Sequence, residues 1–359
     1  MAAVIKYLGS KRTLLPLILQ AVRAAPEATS VLDLFSGTSR VGHALKAAGY
    51  RVLSNDHNAY AAALARCYVQ ADRERVGPAA ERLIAELDRL PGRAGYFTET
   101  FCIRARYVQP RNGERIDAIR AEIARLALEP ELEAVALVSL MEAADRVDST
   151  TGVQMAYLKS WAPRANAELR LRLPGLLPRA RHGAGEAHQL EVFDALPRLS
   201  ADVAYIDPPY NQHSYLGNYH VWETLVRGDA PETYGVACKR SDCRERRSPF
   251  NSRVAFRDSL QRVIDGVRAA VLVVSFSSEG FLSREELEAM LRRRGELAVL
   301  SRDYPRYVGA QIGIYNPQGV KVGRVGALRN TEFVYVVAPS ERADVLERVA
   351  RIEQQAAAV

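Results

Sequence analysis

The chain has 359 residues, of which 48% are hydrophobic and 25% charged, the composition of an ordinary soluble globular protein. Lysine and arginine outnumber aspartate and glutamate by 49 to 42, which gives a formal net charge of +7 and a pI near 9.3. The length predicts one large domain with an insertion, or two domains. The basic balance suits either a solvated surface or an anionic partner, and charge alone does not choose between them.

Cysteine spacing and the length of apolar runs exclude several classes of protein. The four cysteines, Cys67, Cys102, Cys238 and Cys243, form no C-x-x-C pair and have no histidine at zinc-site spacing. We therefore expect free thiols in a reducing compartment and no bound metal. No apolar run approaches the roughly 18 residues of a membrane helix, and MAAVIKYLGSK is too short and polar for a signal peptide. These features predict a cytoplasmic protein without a membrane partner.

The first part of the chain alternates helix and strand signals. Strands are predicted in SVLDLF and RVLSND, and helices in KRTLLPLILQAVRAA, RVGHALKAAG and AYAAALARCYV. Small residues form the turn SGTS between the first strand and the helix that follows it. This strand, turn, helix, strand order is typical of a parallel, doubly wound α/β sheet.

The strand signal disappears between residues 72 and 185. After an Asn112-Gly113 turn, GERIDAIRAEIARLAL places isoleucines at helical spacing, and ELEAVALVSLMEAADRV predicts a second, more buried helix. The remainder, 148–185, is rich in arginine, proline and glycine. We interpret 72–185 as an inserted helical region with basic, irregular edges.

Strand signals resume in HQLEVF and DVAYI and continue in AVLVVSF, ELAVLSRDY and EFVYVVAP. The polar segment 211–255 has no clear regular structure, whereas RDSLQRVIDGVRA predicts a helix and Ser283 with Glu286 predicts a capping box. Glycine-rich turns separate the last two strands, which suit an antiparallel pair at the sheet edge. The predicted organisation is one α/β domain, 1–71 and 186–359, interrupted by the helical insertion.

The turn DLFSGTS, residues 33–39, has the small residues that let a ligand approach backbone N–H groups. Asp56 follows Gly37 by 19 residues at the tip of the next strand, where an acid accepts hydrogen bonds from ribose hydroxyls. The dinucleotide fingerprint G-x-G-x-x-G is absent, which favours an adenosyl ligand over a dinucleotide. The competing interpretation is an ordinary turn in which Asp56 caps a helix.

The stretch YIDPPYNQHSY ends a core strand with Asp207, Pro208, Pro209 and Tyr210. Because prolines have no N–H, this tip offers only carbonyl and carboxylate acceptors. Such a cluster suits an exocyclic amine with two donor hydrogens, and the Tyr210 ring offers a surface on which a base could stack. The competing interpretation is a rigid turn with a solvent-facing acid.

Four blocks in order resemble the Dam-like, alpha-group adenine-N6 DNA methyltransferases. They are KYLGSK (6–11), DLFSGTSRVG (33–42), SND (54–56) and DPPY (207–210). The resemblance implies a Rossmann-like methyltransferase sheet and S-adenosylmethionine as cofactor. It implies cofactor contacts for Asp207 and for Tyr7, Lys11, Asp33, Phe35, Ser36, Gly37, Asp56 and Asp194. One position departs from the family motif, because its second glycine is Ser39 here.

The same resemblance implies a mechanism in which Asp207 and the Pro208 carbonyl accept hydrogen bonds from the amine of a flipped adenine. Tyr210 would stack on that base. Tyr215 could line its pocket, and packing is the expected role of Tyr219 and His220. Cytosine-N4 methylation, RNA adenine methylation and an inactive DNA-binding relative remain alternatives.

The expected partner is double-stranded DNA, with a cognate restriction endonuclease and the oligomeric state left open. KRSDCRERR lies beside the catalytic loop, and phosphate contact competes there with a solvated charge run. The residues predicted to contact DNA are Lys239, Arg240, Arg244, Arg246 and Arg247. By family analogy the insertion is the target-recognition region, with Arg104, Arg106, Arg111 and Lys159 as further candidates.

Overall fold

The computed structural model describes residues 5–305 and 329–357. Nine strands are formed by these residues: β1 Ser30–Asp33, β2 Arg51–Asn55, β3 Glu186–His188, β4 Val203–Ile206, β5 Thr233–Tyr234, β6 Lys239–Arg240, β7 Val271–Ser277, β8 Glu296–Pro305 and β9 Arg329–Ala338. Seven of them form one sheet in the order β3-β2-β1-β4-β7-β9-β8, and β5 with β6 forms a separate hairpin.

The same residues form twelve α-helices: α1 Leu15–Arg23, α2 Arg40–Ala47, α3 Ala59–Ala65, α4 Arg73–Leu87, α5 Pro110–Arg125, α6 Pro130–Arg146, α7 Val192–Ala195, α8 Tyr215–Asn218, α9 His220–Arg227, α10 Arg253–Gly266, α11 Arg284–Leu291 and α12 Ala343–Ala357. Two π-helical turns, Arg66–Gln70 and Thr98–Arg104, extend the helical part. Within the described ranges, no helix is long and apolar enough to cross a membrane.

The sheet is parallel over β3, β2, β1, β4 and β7, and β9 runs antiparallel to both β7 and β8. This arrangement confirms the predicted doubly wound sheet with an antiparallel C-terminal edge. From β1 the chain moves to β2 on one side, and it returns to β4 on the other side. The carboxyl ends of β1, β2 and β4 therefore meet at a topological switch point, the usual ligand site of such sheets.

Both faces of the sheet are covered, as alternation along β4 shows. Val203 and Tyr205 pack into one core, formed with α1, α2 and α12. Ala204 and Ile206 point into the opposite core, formed with α7, α10 and α11. A strand buried on both faces needs a continuous apolar run, which explains why β4 is apolar at every position.

The helical region has a third core, which it shares with the α/β part. Residues of α4, α5 and α6 pack there with Tyr60 and Leu64 of α3 and with Trp222 of α9. The helices predicted at 113–128 and 131–147 are confirmed as α5 and α6, and 148–185 is largely irregular as expected. The predicted boundary at residue 72 therefore passes through one shared hydrophobic core.

The predicted Asn112-Gly113 turn is wrong, because both residues lie inside α5, which begins at Pro110. The Asn112 amide donates to the Ala167 carbonyl at 2.9 Å and accepts from the Leu169 N–H at 3.0 Å. A Cβ at Gly113 would collide with the Cys102 Sγ. Tertiary contacts, and not turn formation, explain this dipeptide.

Two other local predictions differ from the structure. The strand expected in HQLEVF ends at His188, and Val192 begins α7. The segment 211–255 is more regular than expected, since it contains α8, α9 and the β5–β6 hairpin. The capping box of Ser283 and Glu286 is confirmed at the start of α11. The glycine-rich turns predicted between the last two strands lie outside the described residues.

Candidate active site

A pocket opens at the carboxyl edge of the sheet, where β1, β2 and β4 end. It encloses about 990 Å³, counted out to its open mouth. Asp33, Asp56 and Asp207 line it from the three strand ends, and the N-terminal segment 7–11 contributes Tyr7 and Lys11. The structure therefore brings together the acids that the sequence placed at separate strand tips.

The loop between β1 and α2 is held open toward this pocket by two residues with left-handed backbone. Gly37 has φ +49° and Ser39 has φ +56°. The Gly37 N–H donates to Asp56 Oδ2 at 3.1 Å, and Asp56 Oδ1 accepts from the Asn58 N–H at 3.0 Å. Asp56 thus ties the tip of β2 to the loop and accepts from a backbone N–H just before α3, which has no side-chain cap.

Asp33 is a buried acid at the end of β1, with 1% of its surface exposed. Burial raises the pKa of its carboxyl to about 8, the nearby carboxylates of Asp207 and Asp56 add to this, and the Gly42 N–H opposes it. A neutral buried acid beside a pocket favours a cationic ligand, because a positive charge would recover the ionised carboxylate.

Asp207 directly follows β4 and is held by two neighbours. Its Oδ1 lies 3.0 Å from Lys11 Nζ and accepts a hydrogen bond from Ser275 Oγ at 2.8 Å. The Tyr205 hydroxyl lies 2.8 Å from the same Ser275 Oγ. Burial lowers the pKa of Lys11, but Asp207 together with Tyr210, Tyr205 and Glu332 outweighs burial and holds that pKa well above its usual range. Lys11 therefore stays a cation beside the Asp207 side chain.

The rest of the tetrad is fixed by the neighbouring strand. Pro209 lines the pocket beside Asp207. The Tyr210 ring packs against Phe276 with centroids 5.2 Å apart, and its carbonyl accepts from the Phe281 N–H at 3.2 Å. Burial raises the pKa of Tyr210 to about 12, so its hydroxyl stays neutral. The aromatic ring thus has a defined orientation at the strand tip.

The N-terminal segment 6–11 is anchored by aromatic stacking. Tyr7 lies between Tyr215 and Tyr219, with ring centroids 5.2 and 4.5 Å away. The Leu8 N–H donates to the Tyr219 hydroxyl at 2.6 Å. Tyr219 is 1% exposed and lies under this segment, in keeping with the packing role expected for it, and Tyr215 lines the pocket.

His220 packs in the helical core, away from the pocket. It is fully buried, and its Nε2 lies 2.8 Å from the Gln154 carbonyl. Burial lowers the pKa of this imidazole to about 3, so it is neutral. The packing role expected of His220 fits this position.

The predicted cofactor contact of Asp194 is wrong, since this residue is exposed on α7 and does not line the pocket. Glu191, three residues earlier, lines it instead. Asn55 holds this stretch in place through the Leu190 backbone, accepting from its N–H at 3.1 Å and donating to its carbonyl at 3.2 Å. No local sequence signal distinguishes Glu191 from Asp194, because the difference depends on β3 ending at His188.

The basic segment 239–247 is divided by the structure into buried and exposed residues. Arg240 is 1% exposed and forms a bidentate pair with Asp229, both distances 2.8 Å, and a second pair with Asp242. The prediction that Arg240 contacts DNA is therefore wrong, because its guanidinium is buried between two carboxylates. Arg244 and Arg247 are exposed, Arg244 lies 3.9 Å over the Tyr234 ring, and Lys239 is half-buried.

The candidate basic residues of the helical region have partners within the chain. Arg106 lies 4.7 Å from the Trp161 ring and donates to the Lys159 carbonyl at 2.6 Å. Arg104 donates to Thr233 at 3.2 Å, and Arg111 donates to the Asn166 carbonyl. These hydrogen bonds orient the side chains, and a role in DNA contact stays a prediction for them. Across 5–305 and 329–357, no group of three or more metal-ligating side chains is found.

The fold and the site together define a class of protein. A seven-stranded sheet with one reversed strand, a pocket beside an acid after β2, and Asp-Pro-Pro-Tyr after β4 make this a Rossmann-like methyltransferase. The chain belongs to the D12 class N6 adenine-specific DNA methyltransferase family, whose family model matches residues 7–290.

Several characterised proteins are similar over most of the chain. The type II methyltransferase M.FokI of Planomicrobium okeanokoites is 30% identical over 309 residues, covering 81% of this chain and 47% of its own length. Modification methylase StsI of Streptococcus sanguinis is 27% identical, with 80% and 46% covered. The type II methyltransferase M.NlaIII of Neisseria lactamica is 28% identical, with 77% and 83% covered. The chain thus spans about half the length of the first two.

Proposed function

We propose that the protein transfers a methyl group from S-adenosylmethionine to the N6 amine of adenine in double-stranded DNA. The observation that carries this proposal is the position of Asp207, which ends β4 at the mouth of the pocket with Lys11 and Ser275 both on its Oδ1. This leaves Oδ2 as the acceptor for an incoming amine. Membership of an adenine-specific family supports the same substrate.

The residues around the pocket suit S-adenosylmethionine. Asp56 would accept from the ribose hydroxyls, Glu191 would face the adenine end, and the backbone at Ser36 and Gly37 would lie against the cofactor with Phe35 beside it. Tyr7, Lys11 and the buried acid Asp33 would surround the cationic methionine end. When bound, the cofactor supplies an electrophilic sulfonium methyl, whose C–S bond breaks as the N–C bond forms.

Asp207 and Pro208 would prepare the amine. The adenine N6 lone pair is delocalised into the ring, so the free amine is a poor nucleophile. Hydrogen bonds from its two hydrogens to Asp207 Oδ2 and the Pro208 carbonyl would draw the nitrogen toward tetrahedral geometry and free the lone pair. The Lys11 ammonium, 3.0 Å from Oδ1, would hold the Asp207 side chain in place toward the amine. Positioning by fixed dipoles and charges carries the rate in this mechanism, and the N6 proton leaves through Asp207 to solvent.

The target base has to leave the duplex, since a stacked amine cannot reach a pocket at the sheet edge. The Tyr210 ring, held by Phe276, provides a flat surface for the flipped adenine. Lys239, Arg244 and Arg247 would contact backbone phosphates, and residues 72–185 would recognise the target sequence. The relatives named type II methyltransferase and modification methylase support methylation of DNA at specific sites.

A single assay tests this proposal. The protein is incubated with methyl-labelled S-adenosylmethionine and either double-stranded DNA or RNA, and the digested nucleosides are separated. N6-methyldeoxyadenosine is the expected product. N4-methyldeoxycytidine, N6-methyladenosine from RNA, or no methylated nucleoside would each overturn it, because they correspond to a cytosine enzyme, an RNA enzyme and an inactive DNA-binding relative.

A further inference from the structure

The segment 246–251 forms one wall of the pocket, although Arg246 and Arg247, its first two residues, are predicted to contact DNA. Arg246, Ser248, Phe250 and Asn251 all line the pocket. They follow the exposed turn that contains Arg244, so the chain passes here from the surface to the ligand site. The two ends of this wall are attached to different sides of the pocket.

The first end is attached through Arg246. Its Nη1 lies 2.9 Å from Glu223 Oε1 and its Nη2 is 3.5 Å from the His57 carbonyl, next to the ribose acid Asp56. Glu223 is fully buried, and its Oε2 accepts from the Tyr60 N–H at 3.2 Å. One guanidinium therefore joins the segment to α9, to the start of α3 and to the tip of β2.

The second end is attached near the tetrad. Phe250 is 2% exposed, and its ring meets Phe35 edge-on at 5.2 Å. The Asn251 amide donates to the carbonyls of Asn211 and His213, at 2.8 and 3.0 Å. The wall thus connects the ribose side of the pocket to the loop that follows Tyr210.

The charge of Arg246 is already matched inside the protein. Besides Glu223, it lies 3.5 Å from Asp242, which also pairs with Arg240 and Arg227. A buried carboxylate such as Glu223 depends on its cation, because removing one member leaves an uncompensated charge. A phosphate would therefore have to compete with a buried acid for this guanidinium.

We infer that Arg246 is a positioning residue of the cofactor site, which with Glu223 holds 246–251 against the adenosine end of the pocket. It sets the affinity for S-adenosylmethionine and does not contact DNA. The inference rests on the proposed function, because it takes the pocket to be the cofactor site. In this short segment Arg246 thus belongs to the pocket, whereas Arg244 and Arg247 belong to the surface.

The test compares Arg246→Gln with Arg247→Gln, a matched change at the next residue, whose side chain is exposed and donates to the Arg244 carbonyl at 3.1 Å. Calorimetry gives the Kd for S-adenosylmethionine, and titration at several salt concentrations gives the salt dependence of DNA binding. Arg246→Gln is expected to raise the cofactor Kd about tenfold, through misplacement of the wall, with an unchanged salt slope. Arg247→Gln is expected to leave the cofactor Kd unchanged.

The double variant Glu223→Gln/Arg246→Gln separates positioning from stability, because it leaves no unpaired charge in the core. Its melting temperature should return toward that of the unmodified protein while its cofactor Kd stays raised. A normal cofactor Kd in Arg246→Gln, or in the double variant, would overturn the inference. If the unmodified protein neither binds S-adenosylmethionine nor methylates nucleic acid, the proposed function itself fails.

Discussion

Lys11 and Asp207 form an ion pair of 3.0 Å that joins the N-terminal segment to the end of β4, 196 positions along the chain. Lys11 is 8% exposed and the Asp207 side chain 17%. A pair this sheltered from water is electrostatically strong, and it fixes the carboxylate in one orientation. The segment KYLGSK therefore acts on the tetrad directly, in addition to its predicted contact with the cofactor.

Replacing Lys11 by glutamine should lower kcat for methyl transfer about 100-fold, because Asp207 loses the cation that orients it. Lys11→Arg keeps the charge and should retain more activity than Lys11→Gln. Single-turnover methylation of DNA at saturating cofactor measures this step. Equal rates for the two variants would contradict the role of charge in positioning Asp207.

Asp207→Ala should bind S-adenosylmethionine within about tenfold of the normal Kd yet lose methyl transfer, since the amine loses its acceptor. Asp207→Asn retains an amide oxygen and should keep measurable activity. Binding is followed by calorimetry and transfer by labelled methyl incorporation. Near-normal turnover in the alanine variant would remove Asp207 from the mechanism.

Lys239, Arg244 and Arg247, the basic residues proposed to contact phosphates, give a prediction about the salt dependence of DNA binding. Replacing Lys239, Arg244 and Arg247 together by alanine should weaken the salt dependence of DNA binding. The slope of log K, where K is the association constant for DNA, against log salt concentration should fall in magnitude by about 0.9 for each phosphate that is no longer neutralised. Arg351→Ala on α12, where the arginine side chain is 73% exposed, is the matched control for removal of surface charge. An equal change in slope for the control would show a general charge effect.

Arg240→Ala should behave differently from those three replacements. It removes the buried guanidinium between Asp229 and Asp242 and leaves both acids to the more exposed Arg227, and breaking such a buried pair costs about 3 kcal/mol. Chemical denaturation should therefore show a lower free energy of unfolding. A stable variant with a flattened salt slope would restore Arg240 to the DNA-contacting surface.

The parts of the fold that the sequence predicted correctly depend on local patterns. The β1–α2–β2 order and the run at β4 are visible because strand alternation and turn residues act over a few positions. Local sequence rules could not predict that Asn112 and Gly113 lie in a helix. The residues they contact, Cys102, Ala167 and Leu169, are distant in the sequence. The length of β3 was also misjudged, because three residues after it form the turn into α7.

The site residues also divide into those that local sequence patterns reveal and those that depend on distant contacts. Asp33, Asp56 and Asp207 were found because parallel strands end at one edge, so strand tips in the sequence become neighbours in space. Arg240 was misjudged because its partner Asp229 lies in the turn after α9, and only its neighbour Asp242 gives a local sign of the pairing. A run of basic residues therefore predicts a DNA-contacting surface only where no acid from a distant part of the chain pairs with them.

Ser39 offers a test of backbone strain in the β1–α2 loop. Its φ of +56° is the left-handed region, which costs a non-glycine residue about 1 to 2 kcal/mol. Its hydroxyl is buried, so Ser39→Gly and Ser39→Ala remove that group alike. The glycine variant should be about 1 kcal/mol more stable than the alanine variant. Urea unfolding of both proteins checks this order, and alanine as the more stable of the two would contradict it.

Asp33 should make the stability of the unliganded protein depend on pH. Its carboxyl has a pKa of about 8 in the folded protein, against an ordinary value of 3.8, so the folded state holds a proton that the unfolded chain releases. Stability attributable to this group therefore falls as pH rises from about 4 toward 8, and is constant above that range. Asp33→Asn removes the titration. Its melting temperature should exceed that of the unmodified protein by a margin that grows between about pH 5 and pH 8, whereas a constant margin would show that Asp33 is already ionised in the fold.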